Sequence, residues 1–172
     1  VIPHTYDNTN LKNLSKNSRV NKQGHLEIAG VDVLELVKKF GTPLFVLDED
    51  ALRSNCKAYI QSFGSYKNFR VIYANKALSA IGILKIIKSE GLGMDVSSGG
   101  ELFTAIKAGC DPKTIYFHGN NKLQEEIEYA INSKIGTFVV DNFDELNTLV
   151  SISEKLSKKV NVMFRVNPGI EA

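Results

Sequence analysis

Two hydrophobic patterns alternate along the chain from Leu44 onward. Short runs rich in β-branched and aromatic residues predict strands, and longer runs with apolar residues three and four apart predict helices. The predicted strands are residues 44–47, 70–74, 93–96, 114–117, 137–140 and 160–166. The predicted helices are residues 50–63, 80–89, 100–108, 123–132 and 142–156, with Gly-rich or Pro-containing turns between the elements.

The strand centres are evenly spaced. Ile72, Asp95, Tyr116, Val139 and Met163 follow one another at gaps of 23, 21, 23 and 24 residues. A repeated strand–helix unit of constant size predicts an α/β fold with a parallel sheet. An open doubly wound sheet and a closed (β/α)8 barrel both remain possible. The even period without a reversal favours the barrel, which needs eight units in roughly 250 residues.

The first forty residues follow a different pattern. Residues 1–22 are rich in Asn, Ser and Lys and predict a loosely structured arm, and residues 25–28 predict a short strand. Residues 31–40 have helical spacing and are followed by Gly41, a residue typical of helix ends. We therefore predict two domains, an arm with a short helix at residues 1–43 and the first part of a barrel at residues 44–172.

Composition narrows the functional classes. The chain is 43% hydrophobic and 23% charged, with a net charge of +2 that gives no sign of a nucleic-acid or membrane partner. Its apolar runs are too short to span a bilayer, and no basic-then-apolar leader opens the sequence, so we expect a cytoplasmic protein. Two cysteines, Cys56 and Cys110, are too few for a disulfide framework or a four-thiolate metal site.

Both ends suggest a piece of a longer protein. The chain starts at Val1 without an initiator Met, and it stops at Ala172 soon after a predicted strand. Five predicted units follow Phe69, whereas a complete barrel has eight. We therefore expect the remaining units to lie outside these 172 residues.

Polar residues follow every predicted barrel strand, at the end where the chemistry of α/β folds lies. Such convergence favours a small-molecule site over a protein-contact surface. The polar positions are Asn75 and Lys76, Asp95 to Ser98, His118 to Asn120, Asp141, and Arg165 to Asn167.

Lys76 is the strongest candidate for chemistry. It follows Val71-Ile72-Tyr73-Ala74, a strand that we expect to be buried on both faces. Desolvation disfavours an ammonium, so a partly buried lysine there would present a neutral amine able to form a Schiff base with a carbonyl. The alternative is a lysine that extends to solvent from a strand end.

The other candidates also have two interpretations each. Asp95 and Glu101 flank a Ser-Ser-Gly-Gly turn and would either face a cationic ring or begin a helix. His118 would act as an acid or base, or bond a neighbouring loop. Arg165, expected to be buried, would hold a ligand or pair with an acid of a neighbouring strand end. Asp141-Asn142 with Asp144-Glu145 is interpreted as helix capping, and no ligand spacing indicates a metal.

Six motifs in order resemble one enzyme family, the fold-type III pyridoxal-phosphate (PLP) decarboxylases, in their diaminopimelate decarboxylase branch. The resemblance runs from about Gly30 to the end of the chain. The motifs are Gly-Thr-Pro-Leu-Phe-Val-Leu-Asp at 41–48, Tyr-Ala-Asn-Lys-Ala at 73–77, Gly-Leu-Gly-Met-Asp-Val-Ser-Ser-Gly-Gly-Glu-Leu at 91–102, Phe-His-Gly-Asn-Asn-Lys at 117–122, Val-Asp-Asn-Phe-Asp-Glu-Leu at 140–146 and Arg-Val-Asn-Pro-Gly at 165–169.

The resemblance implies a fold and roles. It implies a partial PLP-binding (β/α)8 barrel, truncated before its last units and before a carboxy-terminal β domain with which residues 1–43 would associate. Residues 44–47 would then join the two domains. Lys76 aligns with the lysine that binds PLP, Asp95 with an acid near the cofactor and Arg165 with an arginine on its ring side. His118 is a cofactor-binding candidate, and Glu101 and Asn120 are substrate or supporting candidates.

The resemblance also implies an activity. The complete enzyme would decarboxylate meso-diaminopimelate to L-lysine, in lysine biosynthesis, as a homodimer. Several family site residues would lie beyond Ala172, so residues 1–172 alone are expected to have little or no activity. The Asn75 and Leu78 positions depart from the commoner motif. The alternatives are a PLP decarboxylase of ornithine, arginine or polyamine precursors, a non-catalytic PLP-binding barrel, and an interaction fragment without a cofactor.

Overall fold

The computed structural model describes residues 13–169 and divides the chain into two compact units, one ending at Ala58 and the other beginning at Tyr59. The division lies inside helix α2 (Glu49–Ser62), later than the predicted boundary after residue 43. The reason is local. Asp48, directly before α2, accepts hydrogen bonds from Asn17 and Ser15 as well as from the Ala51 N–H, which ties the start of the helix to the amino-terminal unit.

The amino-terminal unit contains a small antiparallel sheet. Its strands are β1 (Ser18–Val20), β2 (Leu26–Ile28) and β3 (Val31–Asp32), in the order β1-β2-β3, and helix α1 (Val33–Phe40) follows. The prediction of a loose arm is wrong for residues 18–20, which pair with β2, and residues 1–12 lie outside the described residues. The helix begins two residues later than predicted because Asp32 caps it, accepting from the Leu34 N–H at 2.8 Å.

The strand predicted at residues 44–47 is wrong. These residues form no regular element, and all four are exposed, Phe45 completely. Strand propensity reflects packing against a neighbouring strand. No strand in the described part of the chain pairs with this segment, so its apolar composition was a misleading signal.

The second unit alternates five strands with four helices, in the order that the sequence predicts. Its strands are β4 (Ile72–Ala74), β5 (Gly93–Val96), β6 (Ile115–Phe117), β7 (Thr137–Val140) and β8 (Val162–Phe164). All neighbouring strands are parallel, and their order in the sheet follows the chain. An order without reversal is that of a barrel segment and not of a doubly wound sheet. The predicted partial barrel is confirmed.

Four helices follow the first four of these strands. They are α3 (Ile81–Ser89), α4 (Gly99–Lys107), α5 (Gln124–Asn132) and α6 (Phe143–Lys155). Short 3-10 turns precede α3 at Asn75–Ala77 and precede β6 at Pro112–Thr114. Within residues 13–169, none of the helices combines the length and apolar character needed to cross a bilayer.

The core lies between one face of the sheet and these helices. Met94 and Val96 pair with Ile115 and Phe117, and all four are fully buried. Phe117 stacks on Phe138 with ring centroids 6.1 Å apart. Each such side chain contributes about 1.5–3 kcal/mol through burial. Because side chains alternate along a strand, the opposite face of the sheet carries the residues between them, including Asp95.

Strand β4 is not buried on both faces, contrary to the sequence prediction. Ile72 is exposed, and Tyr73 and Ala74 are half-buried. In the described part of the chain β4 pairs with β5 alone, so one of its edges and part of its surface stay open to solvent.

Candidate functional site

Strand register brings Asp95 and His118 to one face of the sheet, and Lys76 lies near Asp95 in the turn that follows β4. Ala74 pairs with Asp95, and Asp95 pairs with Tyr116. Residues two apart on a strand share a face. His118 lies two residues beyond Tyr116, and Lys76 lies two beyond Ala74, in the 3-10 turn that ends β4. Lys76 is close enough to Asp95 to affect its ionisation electrostatically.

The same face continues to Asp141 and Arg165. These residues lie two beyond Val139 and Met163, which pair in the β7–β8 register. Tyr116 pairs with Thr137 in the β6–β7 register, so Thr137 and Val139 share the face of Tyr116. We call the five side chains Lys76, Asp95, His118, Asp141 and Arg165 the site rim. The sequence predicts that these residues converge, and the structure places them along one face at the carboxyl ends of five neighbouring strands.

Lys76 is exposed and makes no hydrogen bond or ion pair within residues 13–169. The predicted burial of this lysine is therefore wrong for the described part of the chain, because β4 is an edge strand there. The amine is nevertheless uncommitted, and it lies at the carboxyl end of a strand beside an acid.

Asp95 combines burial with an unpaired oxygen. Its side chain is largely buried, and its Oδ1 has no hydrogen-bond partner among residues 13–169, although the His118 Nδ1 lies 3.5 Å away. Desolvation raises the pKa of Asp95 above its ordinary value, and the nearby Glu101 carboxylate adds to the rise. His118 and Lys76 act in the opposite direction without cancelling it.

Glu101 has the contacts of a helix start. Its Oε2 accepts from the Ser97 N–H at 2.8 Å and lies 3.2 Å from the Ser97 hydroxyl. Ser98 caps α4 by accepting from the Glu101 N–H. Of the two sequence interpretations of Glu101, these contacts match the structural one.

Arg165 and Asp141 form an ion pair. The Arg165 Nη1 donates to the Asp141 Oδ1 at 2.9 Å, which confirms an acid of a neighbouring strand end as its partner. The expected burial of Arg165 is wrong, since 58% of its side chain is exposed beside the open edge of β8. Within the predicted capping segment, Asn142 caps α6 by accepting from the Glu145 N–H at 2.8 Å, while the Asp141 side chain binds Arg165.

The loop after β6 carries His118, Gly119 and Asn120. Gly119 has φ of 97°, and a Cβ built on it would lie 3.0 Å from the Ser97 carbonyl oxygen. A glycine therefore allows this loop to pack directly against the end of β5. Asn120 is exposed and makes no hydrogen bond within the described residues, so its amide is available to a ligand.

Sequence reasoning missed two buried charges behind the site rim. Lys122 and Glu145 have side chains 1% and 7% exposed and pair at 2.7 Å. From the sequence, Glu145 is interpreted as helix capping, and Lys122 is only the last residue of the 117–122 motif. The available signal was spacing, since Glu145 follows the Asn142 cap by three residues, where a side chain folds back over the helix start.

The residues present fit a cofactor that bears an aldehyde. Lys76 offers an amine without a partner, and Asp95 directs a buried oxygen without a hydrogen bond toward the same face. His118 adds a ring nitrogen 3.5 Å from Asp95, and Arg165 adds a guanidinium further along the same face, at the end of β8. A ring with a protonated nitrogen or a hydroxyl would satisfy the unpaired Asp95 oxygen.

Comparison with known proteins gives the family. Residues 49–172 match the model of the family described as pyridoxal-dependent decarboxylase, pyridoxal binding domain. A diaminopimelate decarboxylase from Halalkalibacterium halodurans is 48% identical over 156 residues, which are 90% of this chain and 36% of that protein. The chain thus spans little more than a third of the curated relatives it matches.

Solved structures agree on the fold. The M. jannaschii diaminopimelate decarboxylase in complex with L-lysine is 35% identical, with a TM-score of 0.86 over 91% of this chain and 37% of that chain. A lysine/ornithine decarboxylase from Vibrio vulnificus with putrescine is 25% identical, with a TM-score of 0.69 over 78% of this chain and 35% of that chain. On this match of motifs, fold and more than half of its length, the chain belongs to the pyridoxal-dependent decarboxylases, and residues 49–172 match the pyridoxal-binding domain of that family.

Proposed function

We propose that the complete protein containing this chain is a PLP-dependent diaminopimelate decarboxylase. It would convert meso-diaminopimelate to L-lysine and CO2, with a proton replacing the lost carboxylate. The uncommitted amine of Lys76, beside the unpaired oxygen of Asp95, is the observation that carries the proposal. The names and identities of the relatives support the choice of substrate.

The chain's own residues would bind and orient the reacting groups. PLP, when bound, supplies an electron sink that accepts the electron pair left as CO2 departs. Lys76 would hold the cofactor aldehyde, and Asp95 would accept a hydrogen bond at the Oδ1 that is now unpaired. His118 and Arg165 would contact the cofactor from the neighbouring strand ends, while Glu101 and Asn120 would support the substrate side.

Two further expectations belong to the same proposal. The resemblance implies a homodimer, and the absence of any membrane or nucleic-acid signal in composition is consistent with a cytoplasmic enzyme. Light scattering of the complete protein after size exclusion should give twice the mass of one chain.

Labelling tests the cofactor lysine directly. The complete protein is treated with PLP and borohydride, digested, and searched for the modified lysine by mass spectrometry. We expect the label on Lys76. Lys76→Ala should remove the yellow absorption of lysine-bound PLP and lower kcat by about 1000-fold or more, because the attachment point is lost.

Lys85→Ala is the matched control, since Lys85 is exposed on α3 and belongs to none of the six motifs. It should leave absorption and kcat unchanged. A label on another lysine, or an unchanged spectrum in a folded Lys76→Ala variant, would contradict the assignment.

A related decarboxylase is the second candidate. The likeness to a lysine/ornithine decarboxylase favours it, although at lower identity and TM-score than the diaminopimelate enzymes. Rates of CO2 release from diaminopimelate, lysine, ornithine and arginine separate the two candidates. Cofactor binding without CO2 release from any of them would instead support a non-catalytic barrel.

A further inference from the structure

We propose that Lys122, through its buried pair with Glu145, is a positioning residue that holds two separate parts of the site rim at a fixed distance. Lys122 touches no residue of the site rim itself. It binds the carbonyl of Gly119, the residue after His118. It also binds the Glu145 carboxylate, which accepts from the Asp141 N–H. The activity readouts below rest on the proposed function, and the exchange readout does not.

Lys122 joins its own loop to two groups that lie 17 and 23 residues further along the chain. Its Nζ donates to the Gly119 carbonyl at 2.7 Å, to the Val139 carbonyl at 2.8 Å and to the Glu145 Oε1 at 2.7 Å. An ammonium has three donors, so all of them are used. The β6–α5 loop, the end of β7 and the start of α6 therefore meet at one nitrogen atom.

Glu145 extends the connection to Arg165. The second oxygen of Glu145, Oε2, accepts from the Asp141 N–H at 3.1 Å. The Asp141 side chain accepts from the Arg165 guanidinium at 2.9 Å. A continuous set of hydrogen bonds thus runs from Lys122 to the far end of the site rim.

Gly119 extends the connection in the other direction. Its carbonyl is bound to Lys122, and the next residue toward the amino terminus is His118. The His118 N–H is bound to the Val96 carbonyl at 2.7 Å, and its ring lies 3.5 Å from the Asp95 carboxylate. A displacement of the Gly119 carbonyl would therefore move the imidazole that faces Asp95.

A stabilising role alone does not explain a buried charge at this position. Replacing a buried ion pair by apolar residues of similar volume is often neutral or favourable for stability. Apolar side chains cannot, however, bind the Gly119 and Val139 carbonyls and the Asp141 amide at the same time. The pair therefore fixes the positions of these backbone groups. Catalytic rates depend steeply on such positions, since a misplacement of a reacting group by 1 Å can lower the rate by about 100-fold.

Three variants of the complete protein test the proposal: Lys122→Met, Glu145→Gln and the double variant Lys122→Met/Glu145→Leu. Hydrogen exchange is followed in peptides covering residues 118–122 and 139–142, together with kcat, KM, visible circular dichroism of bound PLP and the unfolding midpoint. Each single variant should speed exchange in both peptides and lower kcat by about 10- to 100-fold, with a smaller change in KM.

The double variant separates positioning from stability. It should recover part of the unfolding midpoint lost in Lys122→Met, because no unpaired charge remains buried, although the Gly119 and Val139 carbonyls and the Asp141 amide lose their partners. Its kcat and its exchange in residues 118–122 should stay those of the single variants. Recovery of kcat together with stability would overturn the proposal, as would a folded Lys122→Met variant with unchanged exchange. If the single variants do not fold, the double variant decides alone.

Lys155→Met is the matched control. Lys155 is 72% exposed on α6 and lies 4.0 Å from Glu128, so the change removes the same charge from a surface pair. Exchange, kcat and dichroism should not change. If the wild-type protein binds no PLP at Lys76, the proposed function fails, while unchanged or faster exchange in the variants still decides the positioning role.

Discussion

Asp95 is a residue whose position in the site lowers the stability of the folded chain. Its carboxylate is held largely out of water, and one oxygen has no hydrogen-bond donor in the described part of the chain. The burial raises its pKa, which means that the ionised form is disfavoured in the folded state. Such strain is common at functional sites and is compensated by the rest of the fold.

Asp95→Asn should therefore stabilise the chain at neutral pH. The folded-state pKa of Asp95 lies above its unfolded value, so the stability associated with protonation is present at low pH and is lost as pH rises through the folded pKa. Asparagine stays neutral and avoids this loss. We expect Tm to rise by about 1–3 °C at pH 7.

The pH dependence checks the cause of that change. The difference in Tm between Asp95→Asn and wild type should shrink as pH is lowered from 7 toward about 4, where the aspartate is increasingly protonated. Asp144→Asn, an exposed acid in the first turn of α6, should give no stabilisation at either pH. A lower Tm for Asp95→Asn at pH 7, or a gap independent of pH, would contradict the argument.

At the scale of elements, three glutamates occupy the same position in consecutive helices. Glu101, Glu126 and Glu145 are each the third residue of α4, α5 and α6. Each accepts a hydrogen bond from a backbone N–H at or just before its own helix start. Carboxylates at this position satisfy donors that the helix leaves free and favour the positive end of its dipole.

Two of these glutamates also reach back to the preceding strand–helix unit. Glu126 accepts from the Gly99 N–H at 2.6 Å, and Glu145 accepts from Lys122. A Cβ on Gly99 would lie 3.0 Å from the Glu126 side chain, so glycine permits this approach. Neighbouring loops on the site side of the sheet are thus connected by side chains that also cap helices.

Gly119→Ala tests the packing of the loop that carries His118. The φ of 97° is strained for alanine, and the added Cβ would lie 3.0 Å from the Ser97 carbonyl oxygen. We expect a loss of about 1–3 kcal/mol in the free energy of unfolding, measured by urea denaturation.

Gly82→Ala is the comparison variant, because Gly82 lies in α3 and a Cβ there would meet nothing within 4 Å. It should be neutral or stabilising by up to about 1 kcal/mol, since alanine favours the helix. Equal destabilisation by the two substitutions would mean that the Gly119 conformation and its contact with Ser97 do not matter.

Periodicity predicted the repeating elements well and the isolated ones poorly. The bounds of β5 and β7 agree with the sequence prediction, and those of α3 to α6 lie within a residue of it. These elements bury one face in a regular layer, which leaves a clear pattern in sequence. Strands β1 and β3 lie outside the repeat and have no buried residue, and residues 44–47 are apolar without a pairing partner in the described part of the chain.

Across the whole molecule, the predicted sheet topology placed the site residues correctly, whereas arguments from side-chain burial did not. That polar residues follow each strand of a parallel sheet was enough to place the site rim on one face. Exposure was predicted less well, because the open edges of β4 and β8 leave Lys76 and Arg165 in solvent. The role of Lys122 cannot be predicted from local sequence, because its partner Glu145 is 23 residues away and only the fold brings the two together.

The open edge of β8 predicts the behaviour of the 172-residue chain in solution. Val162, Met163 and Phe164 are exposed, with Phe164 at 57%, and within the described residues β8 pairs with β7 alone. A strand edge with unpaired backbone groups and apolar side chains is a template for association between copies. We therefore expect chain 1–172 to self-associate as its concentration rises, as judged by sedimentation velocity.

Phe164→Lys should weaken that association. The substitution removes a large apolar surface, whose burial contributes about 1.5–3 kcal/mol, and places a charge on the edge strand. We expect the dissociation constant to rise by at least about 10-fold. Val150→Lys places the same charge on an exposed apolar position of α6 and should change little. If both variants reduced association equally, net charge would be responsible, and if neither did, the β8 edge would not be the contact.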